Sequence, residues 1–341
     1  MAERRRLLLV TPAFHGYWES MAAPLTAAGY DVRPHLYNAN PTVAAKVRTK
    51  VLYELPNRLK AGSSLVRMRR DTTRGALRAL RESDPEIVVA IKADIIDQEF
   101  WDEVHRRRLP HVLWLYDEVR RSRHTTQSLK AAVGPEGHLV SYSHEDLAAL
   151  RADGFAPHYI PNAFDDRFVA RPRRTDSVVF VGARYPNRAD QLQLLHAAGV
   201  PVLAVGRDWS QHWFDRARTW GSARPDLPAL RDVSRQEAYN LLGGAAAALN
   251  VHTDQDGFTM RTFEIPGSGG LQLIDRPDVA EFYEPEREVL VYRSEAELVD
   301  LARRALRDRT WSRAIGERAR ARTLAEHTFT HRMATLEQLW A

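Results

Sequence analysis

Short, continuous apolar runs alternate along the chain with longer stretches whose apolar residues recur every three to four positions. In the first half the runs fall at residues 7–11, 31–37, 86–91, 111–115, 139–142 and 157–160, and they read as buried strands. Amphipathic stretches at 17–28, 42–59, 64–82, 98–108 and 144–153 read as helices, with Gly29 and Gly154 as C-terminal stops. Residues 161–175, rich in Pro, Asn, Asp and Arg, hold no sustained period and read as a linker. The alternation then resumes, with strands at 178–181, 201–205, 246–251, 271–274 and 289–291. Helices are expected at 188–198, 235–242, 260–265, 295–307, 311–326 and 330–339. Strands apolar throughout their length, each followed by a helix, predict parallel sheets covered on both faces. The expected fold class is α/β, with two Rossmann-like doubly wound domains at 1–165 and 166–325. The last segment, 326–341, is expected as a helix that packs back on the first domain.

In folds of this kind ligands bind beyond the carboxyl ends of the strands, so chemistry is sought there. The richest such stretch is 249–274. A strand ends, a polar loop follows, and Gly257 opens a helix. Amides at the helix start, near Phe258, Thr259 and Met260, are expected to attract an anion. Arg261 adds a guanidinium suited to phosphate. Asp256 and Glu264 stand eight residues apart, about two helical turns, so both are expected to face one cleft. Carboxylates there suit the paired hydroxyls of a sugar or ribose. Taken alone, an Arg–Glu pair at this spacing also reads as a surface ion pair.

This stretch resembles the donor-binding motif of B-fold (GT-B) glycosyltransferases, in particular the spore-maturation CgeB-like group. Asp256 stands where group 1 relatives carry the first Glu of a Glu-x7-Glu pattern. Gly257-Phe258-Thr259 follows it, Glu264 is the second acid, and Gly269-Gly270-Leu271-Gln272 matches the turn after the helix. The segment Val181-Gly182-Ala183-Arg184-Tyr185-Pro186-Asn187-Arg188 is similar to the family loop whose two cations grip a diphosphate. A third match, Pro161-Asn162-Ala163-Phe164-Asp165, resembles the segment that ends the first domain.

The resemblance implies two domains facing across a cleft, with a nucleotide-sugar donor (UDP-, GDP- or dTDP-linked) on the second. Arg184, Arg188 and the helix start would neutralise the diphosphate, Glu264 would bind the ribose, and Asp256 would meet the transferred sugar. The base would lie near Val233, in the loop before the helix at 235–242. Asp254-Gln255-Asp256 also spells the metal signature of the other glycosyltransferase fold. B-fold enzymes handle the charge with Arg and a helix start, so no metal or other cofactor is expected. Gly267-Ser268-Gly269-Gly270 precedes a strand and fails the dinucleotide fingerprint.

In the first half, His15 follows the first strand and could act as general base for an acceptor hydroxyl. Asp117 follows the fourth strand, at the spacing some inverting relatives use for a His–Asp dyad, whereas the second-half likeness implies a retaining enzyme. Gly16, Tyr17 and Asp117 are the expected acceptor residues; packing is the alternative role for Tyr17. The acceptor itself is not specified by the sequence.

Composition adds bounds. The chain of 341 residues is 44% hydrophobic and 27% charged, enough apolar surface for packed cores. It has no cysteine, which excludes disulfides, thiolate metal sites and Cys nucleophiles. Net charge is +5, and only five of the 49 cations are lysine, a bias expected of a GC-rich bacterial genome. Basic clusters at 67–70, 106–108 and 120–123 read as solvated faces before nucleic-acid contacts, and no nucleic-acid module appears. The first apolar run is shorter than a signal-peptide core, and no run reaches a membrane span, so a cytoplasmic protein is expected. The rival readings are a nucleic-acid-modifying glycosyltransferase, a B-fold sugar epimerase, and a GT-B-like binding protein without turnover.

Overall fold

The computed structural model describes residues 4–13, 16–37, 63–219 and 224–341. The helix expected at 42–59 lies outside them. The chain divides into two compact units, one of residues 1–161 with 329–341, the other of residues 162–328.

The first unit is built on a parallel six-stranded sheet: β1 (Arg6–Pro12), β2 (Asp31–Tyr37), β3 (Ile87–Ile91), β4 (His111–Leu115), β5 (Gly137–Ser141) and β6 (His158–Tyr159), in the order β2-β1-β3-β4-β5-β6. Its helices are α1 (Tyr17–Ala27), α2 (Ser63–Ser83), α3 (Gln98–Arg106), α4 (Thr126–Val133) and α5 (His144–Ala152). Every residue of β3 and β4 is buried, as a central strand covered on both faces requires. Side chains alternate across the sheet, so Leu8, Val10, Val88, Ala90, Leu113 and Leu115 share one face and pack on Phe100, Trp101 and Val104 of α3 and Leu129 of α4. α4, not expected from the sequence, is opened by a reciprocal cap: Thr125 Oγ1 accepts the Ser128 amide and Ser128 Oγ accepts the Thr125 amide.

The second unit carries β7 (Val178–Val181), β8 (Val202–Val205), β9 (Ala229–Leu230), β10 (Ala247–Asn250), β11 (Gln272–Ile274) and β12 (Leu290–Val291), all parallel, in the order β12-β11-β10-β7-β8-β9. Its helices are α6 (Pro186–Ala197), α7 (Trp213–Thr219), α8 (Arg235–Gly244), α9 (Arg261–Gly267), α10 (Glu295–Arg307) and α11 (Arg309–Glu326). Val178 and Phe180 face one core with Leu192, Trp209, Leu298 and Ile315, while Val179 faces the other with Val205, Leu242 and Ile265. Ser234 and Ser294 cap α8 and α10 by accepting the amides of Glu237 and Glu297.

The last helix, α12 (Phe329–Glu337), belongs to the first unit. Arg332 Nε donates to the Pro161 carbonyl at 3.1 Å, and the Tyr30 hydroxyl donates to Glu337 at 2.8 Å while accepting the Trp340 indole N–H at 3.0 Å. Among the described residues no helix is long and apolar enough to cross a membrane.

Candidate functional site

In a doubly wound sheet the crevice opens where neighbouring strands send their connections to opposite sides. In the second unit that point lies between β7 and β10. The segments leaving these strands, 182–188 and 251–260, are the two that the sequence singled out.

They are tied to each other. Arg188 Nε donates to the Val251 carbonyl at 3.1 Å, its Nη1 donates to Ala183 at 3.2 Å, and Asn187 Nδ2 donates to the His252 carbonyl at 2.7 Å. The guanidinium also lies 4.8 Å from the Tyr185 ring centre, a cation–π contact. Gly182 (φ +155°) and Gly206 (φ +147°) let this loop approach the end of β8, since a Cβ on Gly206 would stand 2.9 Å from the Gly182 carbonyl oxygen. The Trp209 indole donates to the same carbonyl at 2.8 Å.

The loop at 251–260 is pinned through its carbonyls. Besides Val251 and His252, Gln255 and Asp256 accept from Arg276 Nη1 at 2.7 and 2.6 Å, and Phe258 accepts from Asn162 Nδ2 at 2.8 Å. Arg276 further stacks 4.3 Å from the Phe258 ring centre. In a trans peptide the N–H points opposite to the preceding C=O. The amides of Asp256, Gly257 and Thr259 therefore point away from the groups that anchor the loop. Beneath it lies a buried polar layer. His252 Nδ1 sits 3.0 Å from Asp275 Oδ1, the His252 amide donates to Asp275 Oδ2 at 2.9 Å, and Asn250 Nδ2 donates to Thr262 and Gln272 at 3.1 and 3.0 Å.

The structure corrects the expected helix start. α9 begins at Arg261, not near Phe258, and spans seven residues. The amides of Thr262, Phe263 and Glu264 are already taken by the carbonyls of Thr259 and Met260 at 3.0–3.1 Å. So short a helix adds little dipole, and the outward amides belong to the loop instead. A second correction follows: Asp256 is a loop residue, so it and Glu264 do not stand two turns apart on one helix. Glu264 itself is 1% exposed, paired with Arg261 Nη1 at 2.7 Å and accepting the Tyr239 hydroxyl at 3.1 Å. The Arg–Glu pair is thus a buried one, not a surface one.

Other expected residues do not join this cluster. Arg184 is exposed and lines a cavity with Arg224 on the flank of α6, whereas Arg188 turns toward β10. Val233 is half-buried against the apolar cluster of Val179, Val205 and Leu241. Gly267 and Gly270 serve packing: added Cβ atoms would come within 2.4 Å of the Phe164 ring and of the Leu242 carbonyl oxygen.

In the first unit His15 falls outside the described residues. Gly16 heads α1 in the left-handed region (φ +84°), and Tyr17 packs on Phe329 with ring centres 6.5 Å apart. Asp117, at the carboxyl end of β4, pairs with Lys92 at the end of β3. Sequence reading missed Lys92. The available signal was a lysine, one of only five, directly after a fully apolar strand. Lys92 and Ala93 both hold left-handed backbone (φ +63° and +49°), unfavourable for residues with a Cβ and a recurrent mark of functional sites. In the basic clusters, Arg69, Arg106, Arg107, Arg120, Arg121 and Arg123 all have carboxylate partners, as a solvated face would.

Comparison with known proteins bears on both units. Residues 188–338 match the family model described as glycosyl transferase-like. No curated protein sequence matches the chain. Among solved structures, a sucrose-phosphate synthase from Thermosynechococcus elongatus aligns with a TM-score of 0.63 at 14% identity, over 99% of this chain and 98% of that one. HepE from Anabaena, in complex with UDP and glucose, aligns with a TM-score of 0.61 at 13% identity, over 98% and 99%. AviGT4, a glycosyltransferase involved in avilamycin A biosynthesis, aligns with a TM-score of 0.60 at 16% identity, over 98% and 96%. The fold is that of the GT-B glycosyltransferases. A fold shared at such identities does not fix a reaction, which has to be argued from the residues above.

Proposed function

We propose that the protein is a glycosyltransferase that moves a sugar from a nucleoside-diphosphate donor to an acceptor hydroxyl, with the donor on the second unit. One observation carries this reading: at the strand-order switch of that unit, Arg188 ties the loops leaving β7 and β10 together through the Ala183 and Val251 carbonyls, and the second loop is pinned through its carbonyls by Arg276 and Asn162. A cation fixed where the two loops meet, next to backbone held rigid by its carbonyls, suits a diphosphate whose charge grows as the glycosidic bond breaks. Arg261 stands one turn further on. It pairs with Glu264 in the absence of donor; ribose hydroxyls take its place on that carboxylate, and the guanidinium turns to phosphate. Asp256 meets the transferred sugar, and the base lies by Val233. Charge neutralisation by Arg makes the reaction metal-independent. The resemblance at 256–270 supports membership of the CgeB-like group and a retaining reaction. In the first unit Asp117, oriented by Lys92, receives the acceptor hydroxyl together with His15, Gly16 and Tyr17.

The support in comparison is the match of 188–338 to a glycosyl transferase-like family, and the fold shared with HepE, whose structure holds UDP and glucose. The test is thermal melting with UDP, GDP, dTDP and CDP, followed by donor turnover with EDTA present. A nucleotide at 100 times its Kd stabilises by about 2.7 kcal/mol, a rise of several degrees. Release of the nucleoside diphosphate with sugar appearing on an acceptor supports transfer. Interconversion of nucleotide sugars without release would make the protein an epimerase. No melting shift with any of the four would overturn the reading.

A further inference from the structure

A second cavity, of about 440 Å³, opens in the first unit beside the carboxyl ends of β3 and β4, against the first turns of α3 and α4 and the flank of α2. Its floor is apolar, from Ile96, Trp101 and Ala132, and its rim is polar. Asp94 is the informative group. It is 5% exposed, yet its Oδ2 has only long contacts, the Arg123 amide at 3.4 Å and the Arg123 guanidinium at 3.6 Å. Its Oδ1 takes no hydrogen bond from any described residue. A carboxylate so largely withdrawn from solvent, with no close donor, costs free energy unless a ligand or water in the cavity supplies one.

The neighbours fix what kind of ligand. Asp97 heads α3 but does not cap it; its carboxylate pairs with Arg69 at 2.7 Å, while its amide donates to Thr73 Oγ1 at 2.8 Å. His124 sits with Nε2 2.6 Å from the Lys92 carbonyl, and burial holds its pKa below the ordinary histidine value. The neutral ring then donates through Nε2 and keeps Nδ1 as an acceptor. Three carboxylates (Asp94, Asp97 and Glu99) against two guanidinium groups (Arg69 and Arg123) leave the lining with one excess negative charge, which disfavours a phosphate, and among the described residues no three acidic or histidine side chains are grouped to hold a metal ion. Mixed donors and acceptors around an apolar floor match a pyranose, which has hydroxyls at its rim and C–H groups on its face.

We infer that this cavity binds one neutral hexose unit, held through the Asp94 carboxylate. Assigning that hexose to a glycan acceptor rests on the proposed transferase reading. The wall is joined to the reacting edge, because His124 holds the carbonyl of Lys92 and Lys92 pairs with Asp117.

The experiment is ligand-observed NMR titration of the full-length protein with methyl glucoside, methyl galactoside and methyl mannoside, with inorganic phosphate as competitor and UDP as a separate probe. At least one glycoside is expected to bind saturably. Asp94→Asn keeps shape and removes charge, and it should weaken that binding about tenfold or more, the usual scale for a charged hydrogen bond. Gln127→Ala, an exposed change on the rim, should weaken it less, and neither should alter UDP binding. Thermal melting confirms that both variants are folded. The inference fails if no glycoside binds a protein that still binds UDP, if both variants bind glycoside as the parent does, or if phosphate competes. Glycoside binding that Asp94→Asn weakens, with no binding of any nucleotide, keeps the hexose site and overturns the transferase reading instead.

Discussion

Arg261 and Glu264 show how a residue pair can be read correctly in sequence and still change meaning in the fold. Their spacing was visible; their burial was not, because it depends on Tyr239 and α8 covering the carboxylate. Removing one partner of a buried pair leaves an uncompensated charge, at a cost of about 3–5 kcal/mol. Arg261→Ala should therefore lower stability by that order in urea unfolding. Adding Glu264→Gln should recover most of it, while nucleotide affinity stays weakened in the double variant. Recovery of affinity together with stability would reduce the pair to a structural role. Arg188→Ala should weaken nucleotide binding at least about tenfold by calorimetry, since a charge-assisted contact to phosphate contributes about 1.5–3 kcal/mol.

Lys92 carries a different prediction. Its left-handed backbone costs about 1–2 kcal/mol, and its half-exposed pair with Asp117 returns about 0–1 kcal/mol. Lys92→Gly should consequently melt within a few degrees of the parent, or above it, yet lose transfer activity with nucleotide affinity intact. A loss of stability without loss of turnover would contradict the role given to this side chain. Neither the strain nor the partner is legible in the sequence, where Lys92 and Asp117 stand 25 residues apart.

At the scale of elements, long apolar periods were legible and short elements were not. Strands β1 to β8 and β10 to β12 appear where the apolar runs predict them. The missed ones are the eight-residue α4, the seven-residue α7 and the two-residue β9, all too short to hold a readable period. The misplaced start of α9 has a similar cause. Gly257 looked like a helix opening, but five carbonyls of 251–258 are claimed by side chains from Asn162, Asn187, Arg188 and Arg276, and the chain turns helical only beyond them. That loop, not a helix, is the element to test. Gly206→Ala would set a Cβ 2.9 Å from the Gly182 carbonyl oxygen, at a backbone angle that L-residues avoid. The loop at 182–188 should shift and carry Arg188 off the Val251 carbonyl. Expected is a loss of nucleotide affinity at least as large as for Arg188→Ala, read by the same calorimetry.

At the scale of the molecule, burial of histidines sets a pH response. His35, His111, His124, His138 and His158, all in the first unit, are held below the ordinary histidine value by desolvation. Their unfolded forms bind protons more readily, so stability rises with pH through the window below about 6.5. The contribution is complete above that pH and is lost as pH falls toward the folded values. Thermal melts from pH 8 to 5 should show falling stability once pH drops below about 6.5. Replacing the adjacent pair His138 and His158, whose ring nitrogens lie 3.2 Å apart, with Gln should flatten that dependence. Unchanged melts across the range would contradict the burial argument.

The periodicity of apolar residues determined the fold class and most element positions, because period and run length are local properties of a chain that must hide one face. Motif spacing marked which two strand ends carry the chemistry. The tertiary structure alone decided which groups meet: the pinned carbonyls of 251–258, the burial of Glu264, the divergence of Arg184 from Arg188, and the meeting of Lys92 with Asp117. Those pairings join residues distant in sequence, and their strength depends on desolvation, which no local pattern encodes.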